Sequence, residues 1–137
     1  MMWVNCLGSS LQHERFQTLP DAITDGDSRH AALYEMVDAL GAALAQYSLS
    51  DRAIPAPSLP VAGENLVPVN ALVAAKLALR AAMKEQGVSN VRLGEVLGLS
   101  EGAIRRLVDP DHPSRLDGVV AALAALGRCL VVEDQAA

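Results

Sequence analysis

The sequence predicts an α+β fold in two parts, a small N-terminal α/β domain followed by a mainly helical domain that ends in a β-strand. Its composition, 51% hydrophobic but only 3% aromatic and rich in alanine, favours helices over extended sheet. Prolines crowd residues 55–60, where they exclude a helix or a central strand, so the boundary region 50–68 is a linker or an edge strand that leads into one. We therefore predict an N-terminal domain over residues 1–58, a linker over 59–68 and a C-terminal domain over 69–137.

The N-terminal part predicts two short strands followed by one long helix. Strand-forming residues occupy 2–7 and 15–19, and Gly8-Ser9-Ser10 between them suits a turn. From Ser28 to Tyr47 apolar residues recur at steps of three and four, the period of an amphipathic helix. Asp27 or Ser28 can cap this helix, because either side chain can accept a hydrogen bond from a free backbone amide. The apolar positions are Leu33, Met36, Val37, Leu40, Leu44 and Tyr47.

The C-terminal part predicts four helices and a final strand. Glycines follow three of the helical segments, as glycines in C-terminal caps do, and Asp109-Pro110 breaks the remaining one. Ser114, with Asp117 three residues later, predicts a capping box at the start of the fourth helix. The segments are Asn70–Gln86 before Gly87, Ser89–Leu97 before Gly98, Ser100 to the break at Asp109, Ser114 to Gly127, and the strand Arg128–Glu133.

Charge differs between the two halves of the chain. Residues 1–67 contain three basic and eight acidic residues, a net charge of −5, whereas residues 68–137 contain eight of each sign. An acidic first half repels nucleic acid and attracts a basic partner, while the second half can still present local positive charge to a phosphate backbone. We expect the halves to do different jobs.

The nineteen residues from Ser89 to Leu107 fit a helix-turn-helix. In this motif two short helices cross closely, so the first helix needs a small residue, the turn needs a glycine and the inner faces need apolar residues. Gly94 supplies the small residue and Gly98 supplies the turn. The inner apolar positions are Leu93, Leu97, Ile104 and Leu107.

The outward side of the second short helix is the predicted DNA-reading surface. Burial of Ile104 would turn Glu101, Gly102 and Arg105 outward and leave Arg106 at the edge. Glu101 can accept a hydrogen bond from a cytosine amino group, Arg105 can bridge a guanine edge, and free amides at the helix starts suit phosphate oxygens. The full set of predicted DNA contacts is Ser89, Asn90, Ser100, Glu101, Gly102, Ala103, Arg105, Arg106 and Arg115.

The sequence predicts no catalytic site, no metal site and no cofactor. His13, His30 and His112 are scattered, so no convergent catalytic groups are evident. Cys6 and Cys129 lie near opposite ends without CxxC spacing, and we interpret them as reduced thiols. We expect a protein that is not an enzyme.

No membrane or export segment is predicted. The chain has no run of about eighteen apolar residues, and its opening residues lack the basic and apolar regions of a secretory signal. We expect a cytoplasmic protein with no membrane partner.

The stretch from about Phe16 to Val132 resembles the HicB antitoxins that carry a helix-turn-helix of the Cro/cI type. The opening segment Met1–Gln17 is shorter than the β-hairpin that family members usually have, so the N-terminal domain is expected in a degenerate form. The matching segments are Leu19–Asp27, Ile54–Ser58, Val69–Leu79, His112–Asp117 and Ala122–Leu130.

The resemblance implies a two-part antitoxin of a type II toxin-antitoxin system. Its N-terminal domain, similar to a partial RNase H fold, would cover the active site of a HicA-like toxin, a small basic ribonuclease, and Thr24, Asp25 and Asp27 are the expected contacts. Its C-terminal domain would form a homodimer or higher oligomer and repress its own operon by binding operator DNA. The terminal strand would pair with its copy in a second subunit.

Three other interpretations stay open. They are a stand-alone helix-turn-helix transcriptional regulator without a toxin partner, a protein adaptor that binds no DNA, and a bundle whose capped short helices have no such role. A short basic reading frame beside the gene favours the antitoxin, and a gel shift with steep salt dependence excludes the adaptor.

Overall fold

The computed structural model describes residues 3–10, 13–16, 23–25, 28–54 and 64–132. The chain divides into two compact units, and the division falls between Asn70 and Ala71. Strands and a helix in the first unit, and helices in the second, make this an α+β protein.

The first unit contains an antiparallel sheet. Its described strands are β1 (Trp3–Ser10), β2 (His13–Phe16), β3 (Ile23–Asp25) and β4 (Glu64–Pro68). They stand in the order β3-β2-β1-β4, and each neighbouring pair is antiparallel. In the register of the sheet, Cys6 of β1 is opposite Phe16 of β2, and Val4 of β1 is opposite the buried Val67 of β4.

One prediction for this unit is wrong, and another had two outcomes open. Residues 8–10, predicted as a turn, continue β1, with an irregular register between Gly8 and Ser10. Residues 64–68, assigned to the linker with an edge strand as the alternative, form the edge strand β4, because pairing with β1 satisfies their backbone groups; residues 59–63 lie outside the described part. Pro68 is tolerated because it is the last residue of a strand at the end of the sheet order.

One long helix, α1 (Arg29–Leu49), packs against β2, β3 and β4. Ser28 is its N-cap, and its side chain accepts a hydrogen bond from the amide of Ala31 at 3.2 Å. The predicted apolar face is confirmed, since Met36, Leu40 and Leu44 are fully buried. Removing this face from water stabilises the unit.

In the second unit, residues 71–132 form four helices around one core. Gly98, between the second and third of them, has a φ of +66°, a conformation that glycine adopts without strain. The helices are α2 (Ala71–Gln86), α3 (Asn90–Leu97), α4 (Glu101–Val108) and α5 (Leu116–Ala125). The core residues are Ala75, Leu79, Met83, Leu93, Ile104, Val108, Val119, Ala122 and Leu123.

Two predictions for the second unit are also wrong. Ser114 does not cap α5, which starts after Arg115 without a side-chain cap, because the Ser114 hydroxyl is bound elsewhere. Residues 128–132 form no strand, since a strand needs a backbone partner and the described part of the chain offers them none. Leu130 packs on the core, whereas Val131 and Val132 are 81% and 76% exposed.

Within the described ranges, no helix combines the length and apolar character that crossing a lipid bilayer requires.

Candidate nucleic-acid interface

Close packing brings α3 and α4 together across a three-residue connection. A Cβ atom on Gly94 would lie 2.6 Å from the carbonyl oxygen of Leu99, so a larger residue would not fit this crossing. The amide of Gly98 donates to the carbonyl of Gly94 and closes α3. Leu93 and Ile104 are buried on the facing sides, in the positions that the sequence predicts.

The side of α4 that faces solvent carries charged side chains. Glu101, Gly102, Arg105 and Arg106 are exposed, and Ala103 is half-buried. Glu101 and Arg105 form an ion pair one helical turn apart, with 2.8 Å between Oε1 and Nη2. Both side chains face solvent, 49% and 71% exposed, so the pair is worth only about 0.3–0.5 kcal/mol and a ligand can separate it at low cost.

Arg106 differs from its neighbour Arg105. Its side chain is exposed, and it makes no ion pair or hydrogen bond with any described residue. Within the described part of the chain it is therefore a cation without a carboxylate partner, beside the paired Arg105.

Serines cap the starts of both short helices. The Ser89 hydroxyl accepts from the amide of Arg92, and the Ser100 hydroxyl accepts from the amide of Ala103, both at 3.2 Å. Amides earlier in each first turn have no partner within an α-helix, so they remain available to an anion. Asn90, the first residue of α3, is half-buried beside its cap.

Arg115 lies just before α5 and is also exposed. Its guanidinium makes two hydrogen bonds to the Asp117 carboxylate, at 2.9 and 3.2 Å. Hydrogen bonds from Arg115 and from the amide of Gly118 hold the pKa of Asp117 below its ordinary value. Arg92 is paired in the same way with Glu95, at 2.9 Å.

Sequence reasoning missed Lys76, a fully buried residue of α2. Its Nζ donates to the carbonyl oxygens of Asp109 (2.7 Å), His112 and Arg106 (3.5 Å), and to the Ser114 hydroxyl (2.9 Å). Burial lowers the pKa of the Lys76 ammonium, and the nearby Asp109 and Asp111 oppose that shift.

A signal for this lysine was present in the sequence. Leu72, Lys76, Leu79 and Met83 follow one another at steps of four, three and four, so Lys76 stands on the apolar face of α2. A charged residue at such a position has to find oxygen partners inside the fold.

The predicted partner contacts lie in the first unit. Thr24 and Asp25 belong to β3, opposite Glu14 and His13 of β2. The side chains of Thr24 and Asp25, and the whole of Asp27, lie outside the described residues. β3 stands at the end of the sheet order, opposite the end that β4 occupies.

Metal binding finds no support in the described residues. No group of three or more histidine, cysteine, aspartate or glutamate side chains there is placed to hold a metal ion. Cys129 is exposed and free.

Comparison with known proteins gives one family for this sequence. Residues 13–78 match the family described as "HicB_like antitoxin of bacterial toxin-antitoxin system". The chain is 39% identical over 115 residues to "Antitoxin HicB 2" of Photorhabdus laumondii subsp. laumondii, covering 84% of this chain and 81% of that protein. It is 35% identical over 123 residues to "Antitoxin HicB" of Pseudomonas fluorescens, covering 87% and 82%.

A third relative extends the same result. "Antitoxin HicB" of Escherichia coli (strain K12) is 29% identical over 113 residues, covering 82% of both chains. The names of these relatives describe antitoxins and not enzymes, in agreement with the expectation for this chain. An alignment of this length is longer than either unit, so it includes residues of both.

Proposed function

This chain belongs to the HicB antitoxin family, and from that premise we propose that it acts through two surfaces, one on each unit. The first unit binds and neutralises a small, basic ribonuclease toxin. The second unit binds operator DNA through α3 and α4 as a helix-turn-helix and represses the operon that encodes the pair. The protein is not an enzyme.

One observation carries the DNA-binding proposal. The short helix α4 buries Ile104 and Val108 in the core while it presents Glu101, Arg105 and Arg106 to solvent. A recognition helix needs this division, because its inner side must be fixed for its outer side to read base edges. The close crossing at Gly94 holds α4 in place from the other side.

The proposed contacts divide between bases and phosphates. Arg105 leaves Glu101 and makes a bidentate contact with a guanine, while Glu101 accepts from a cytosine amino group. Arg106 and Arg115 bind phosphate oxygens, as do the first-turn amides near Ser89, Asn90, Ser100, Gly102 and Ala103.

A second copy of the chain completes the DNA-binding form. Val131 and Val132 are exposed beyond α5, and we assign this apolar surface to the contact with another subunit. Such a dimer would place two α4 helices about 34 Å apart, one turn of DNA, on a palindromic operator.

For toxin binding, the family match and the acidic first half are the supporting observations. Residues 1–67 carry a net charge of −5, which attracts a basic RNA-cleaving enzyme and speeds the encounter. Thr24, Asp25 and Asp27 are the proposed contacts, on and beside the end strand β3. The antiparallel sheet with one packed helix is consistent with a partial RNase H-like fold for this unit.

DNA binding is tested with the promoter fragment upstream of the gene. Arg105→Ala should weaken operator binding by about 1–3 kcal/mol and relax the preference at one base pair. Arg106→Ala should weaken all DNA sequences alike and lower the slope of log K against log salt by about one. Arg52→Ala, which removes the same charge from the first unit, is the control and should bind as the wild type does. Unchanged operator preference in Arg105→Ala would contradict the base-reading role.

Toxin binding is tested by co-expression with a short basic reading frame beside the gene. The wild type should restore growth and co-purify with that product. Asp25→Lys combined with Asp27→Lys should abolish both effects through charge repulsion, whereas Asp38→Lys in the exposed part of α1 serves as the control. Operator binding without any toxin partner would instead favour a stand-alone transcriptional regulator.

A further inference from the structure

The ammonium group of Lys76 lies in a cluster of oxygen atoms between α4 and α5. Burying an ammonium is costly unless oxygen acceptors replace its lost water. Here three backbone carbonyls and the Ser114 hydroxyl converge on Nζ. These acceptors lie 30 to 38 positions after Lys76 in the sequence. Because all of them bind one ammonium, that ammonium fixes the place of the whole segment that carries them.

The end of α4 needs an outside donor at this point. The amide that would bond to the carbonyl of Arg106 in a continuing helix belongs to position 110, where proline has no N–H. Lys76 Nζ at 3.5 Å and the Ser114 hydroxyl at 3.3 Å donate to that carbonyl instead. A cation at the C-terminal end of a helix also complements the helix dipole.

The same ammonium holds the loop that leads to Arg115. The carbonyl of His112 and the hydroxyl of Ser114 lie one to three residues before Arg115, and both accept from Lys76. One buried group therefore fixes the end of α4, which carries Arg105 and Arg106, together with the segment that carries Arg115.

We propose that Lys76 is a positioning residue for DNA recognition, which sets the placement of Arg115 relative to α4 so that both engage one duplex in register. The inference rests on the function proposed above. Specific binding needs all of these contacts at once, whereas non-specific binding accepts phosphate contacts in any arrangement. Loss of the ammonium should therefore reduce the preference for the operator more than it reduces binding to DNA in general.

The test compares full-length wild type with Lys76→Met, which keeps the length of the side chain and removes the charge. Fluorescence anisotropy measures binding to the promoter fragment and to a scrambled duplex of equal length, after stoichiometric titration corrects for the active fraction. We expect the ratio of the two affinities to fall about tenfold in Lys76→Met, with binding to the scrambled duplex changed less than about twofold. A purely structural role would lower the active fraction and leave that ratio unchanged.

Coupling to Arg115 provides the second readout. Arg115→Ala should weaken promoter binding in the wild type and have little further effect in Lys76→Met, because Arg115 is already misplaced there. Lys84→Met, on an exposed position of the same helix, is the matched control and should keep the wild-type ratio. Where Lys76→Met does not fold, Ser114→Ala replaces it, and the same fall in the ratio is expected to a smaller extent.

The outcomes separate the two proposals. A wild-type protein without preference for the promoter fragment would overturn the proposed function and this inference with it. A wild-type preference that persists undiminished in Lys76→Met, or in Ser114→Ala where that variant stands in, would overturn this inference alone.

Discussion

The two connections that flank α4 are built in different ways. The α3–α4 connection, residues 98–100, is closed by Gly98 in its left-handed conformation and by the Ser100 cap, so its partners lie within a few residues. The α4–α5 connection, residues 109–115, depends on Lys76, at least 30 positions earlier. One end of the same helix is therefore specified locally, and the other end is specified by the docking of a distant helix.

This difference has a physical consequence for α4. Its start can form as soon as α3 and α4 are made, because glycine and serine act through adjacent backbone groups. Its end is fixed only when α2 has packed into the core and brought the Lys76 ammonium to Asp109 and His112. Variants at the two ends should therefore fail in different ways.

The largest effect on stability is expected at Gly94, where the crossing of α3 and α4 leaves no space for a larger residue. In Gly94→Ala the new Cβ would meet the Leu99 carbonyl, a backbone atom of the turn that cannot rotate away. We expect the free energy of unfolding to fall by about 2–3 kcal/mol, as overpacking does, measured by urea denaturation. Gly102→Ala is the control, because its Cβ would have no atom within 4 Å, and it should stabilise the protein by about 0.5–1 kcal/mol. Equal stability of the two variants would contradict the close crossing.

The distant connection is tested by a double-mutant cycle. Ser114→Ala alone should reduce the free energy of unfolding by about 1.5 kcal/mol, because it removes a hydrogen bond to a buried charge. In the Lys76→Met background the same change should cost clearly less, because only the hydrogen bond from Ser114 to the Arg106 carbonyl is left to lose. An equal cost with and without the ammonium would show that Ser114 does not act through Lys76.

A smaller effect is expected at the cap of α4. Ser100→Ala should cost about 1 kcal/mol, because the amide of Ala103 loses its acceptor. Its effect should add to that of Lys76→Met within about 0.5 kcal/mol, since the two residues act at opposite ends of α4. Strong coupling between them, measured by the same denaturation series, would break the distinction between the two connections.

The smallest effect concerns the pKa of Asp117, at the far end of the distant connection. The folded pKa lies below the unfolded value of 3.8, so its small contribution to stability is present above that value and is lost as the pH falls through the folded pKa. Arg115→Ala should raise the Asp117 pKa toward 3.8, as followed by carboxyl chemical shifts in an NMR titration. A titration curve that does not move would mean that Arg115 is not the main cause of the shift.

The sequence predicts the features that depend on neighbouring residues. Ser28, Ser89 and Ser100 cap helices as expected, and Gly98 ends α3, because caps act over three or four residues. The buried side of α4 also follows from its apolar spacing, with Ile104 in the core. The chain forms two compact units, and the predicted domain bounds stay a prediction.

Features that depend on distant partners are not predicted. Ser114 and Asp117 have the spacing of a capping box, but Lys76, 38 positions before Ser114, donates a hydrogen bond to the Ser114 hydroxyl. The sequence left residues 64–68 open between a linker and an edge strand, because pairing with β1, about sixty residues away, decides that segment. The predicted terminal strand has the residues of a strand, and within the described residues nothing is available to pair with it.

The carboxylates beside Arg105 and Arg115 have a consequence for movement along a chromosome. If the protein binds DNA as proposed, each of these arginines exchanges one anion for another when it meets an unrelated sequence, so the net gain is small and the visit is brief. At its own site, base contacts add to that exchange and lengthen the stay. The acidic neighbours would thus hasten departure from wrong sites and shorten the search for the right one.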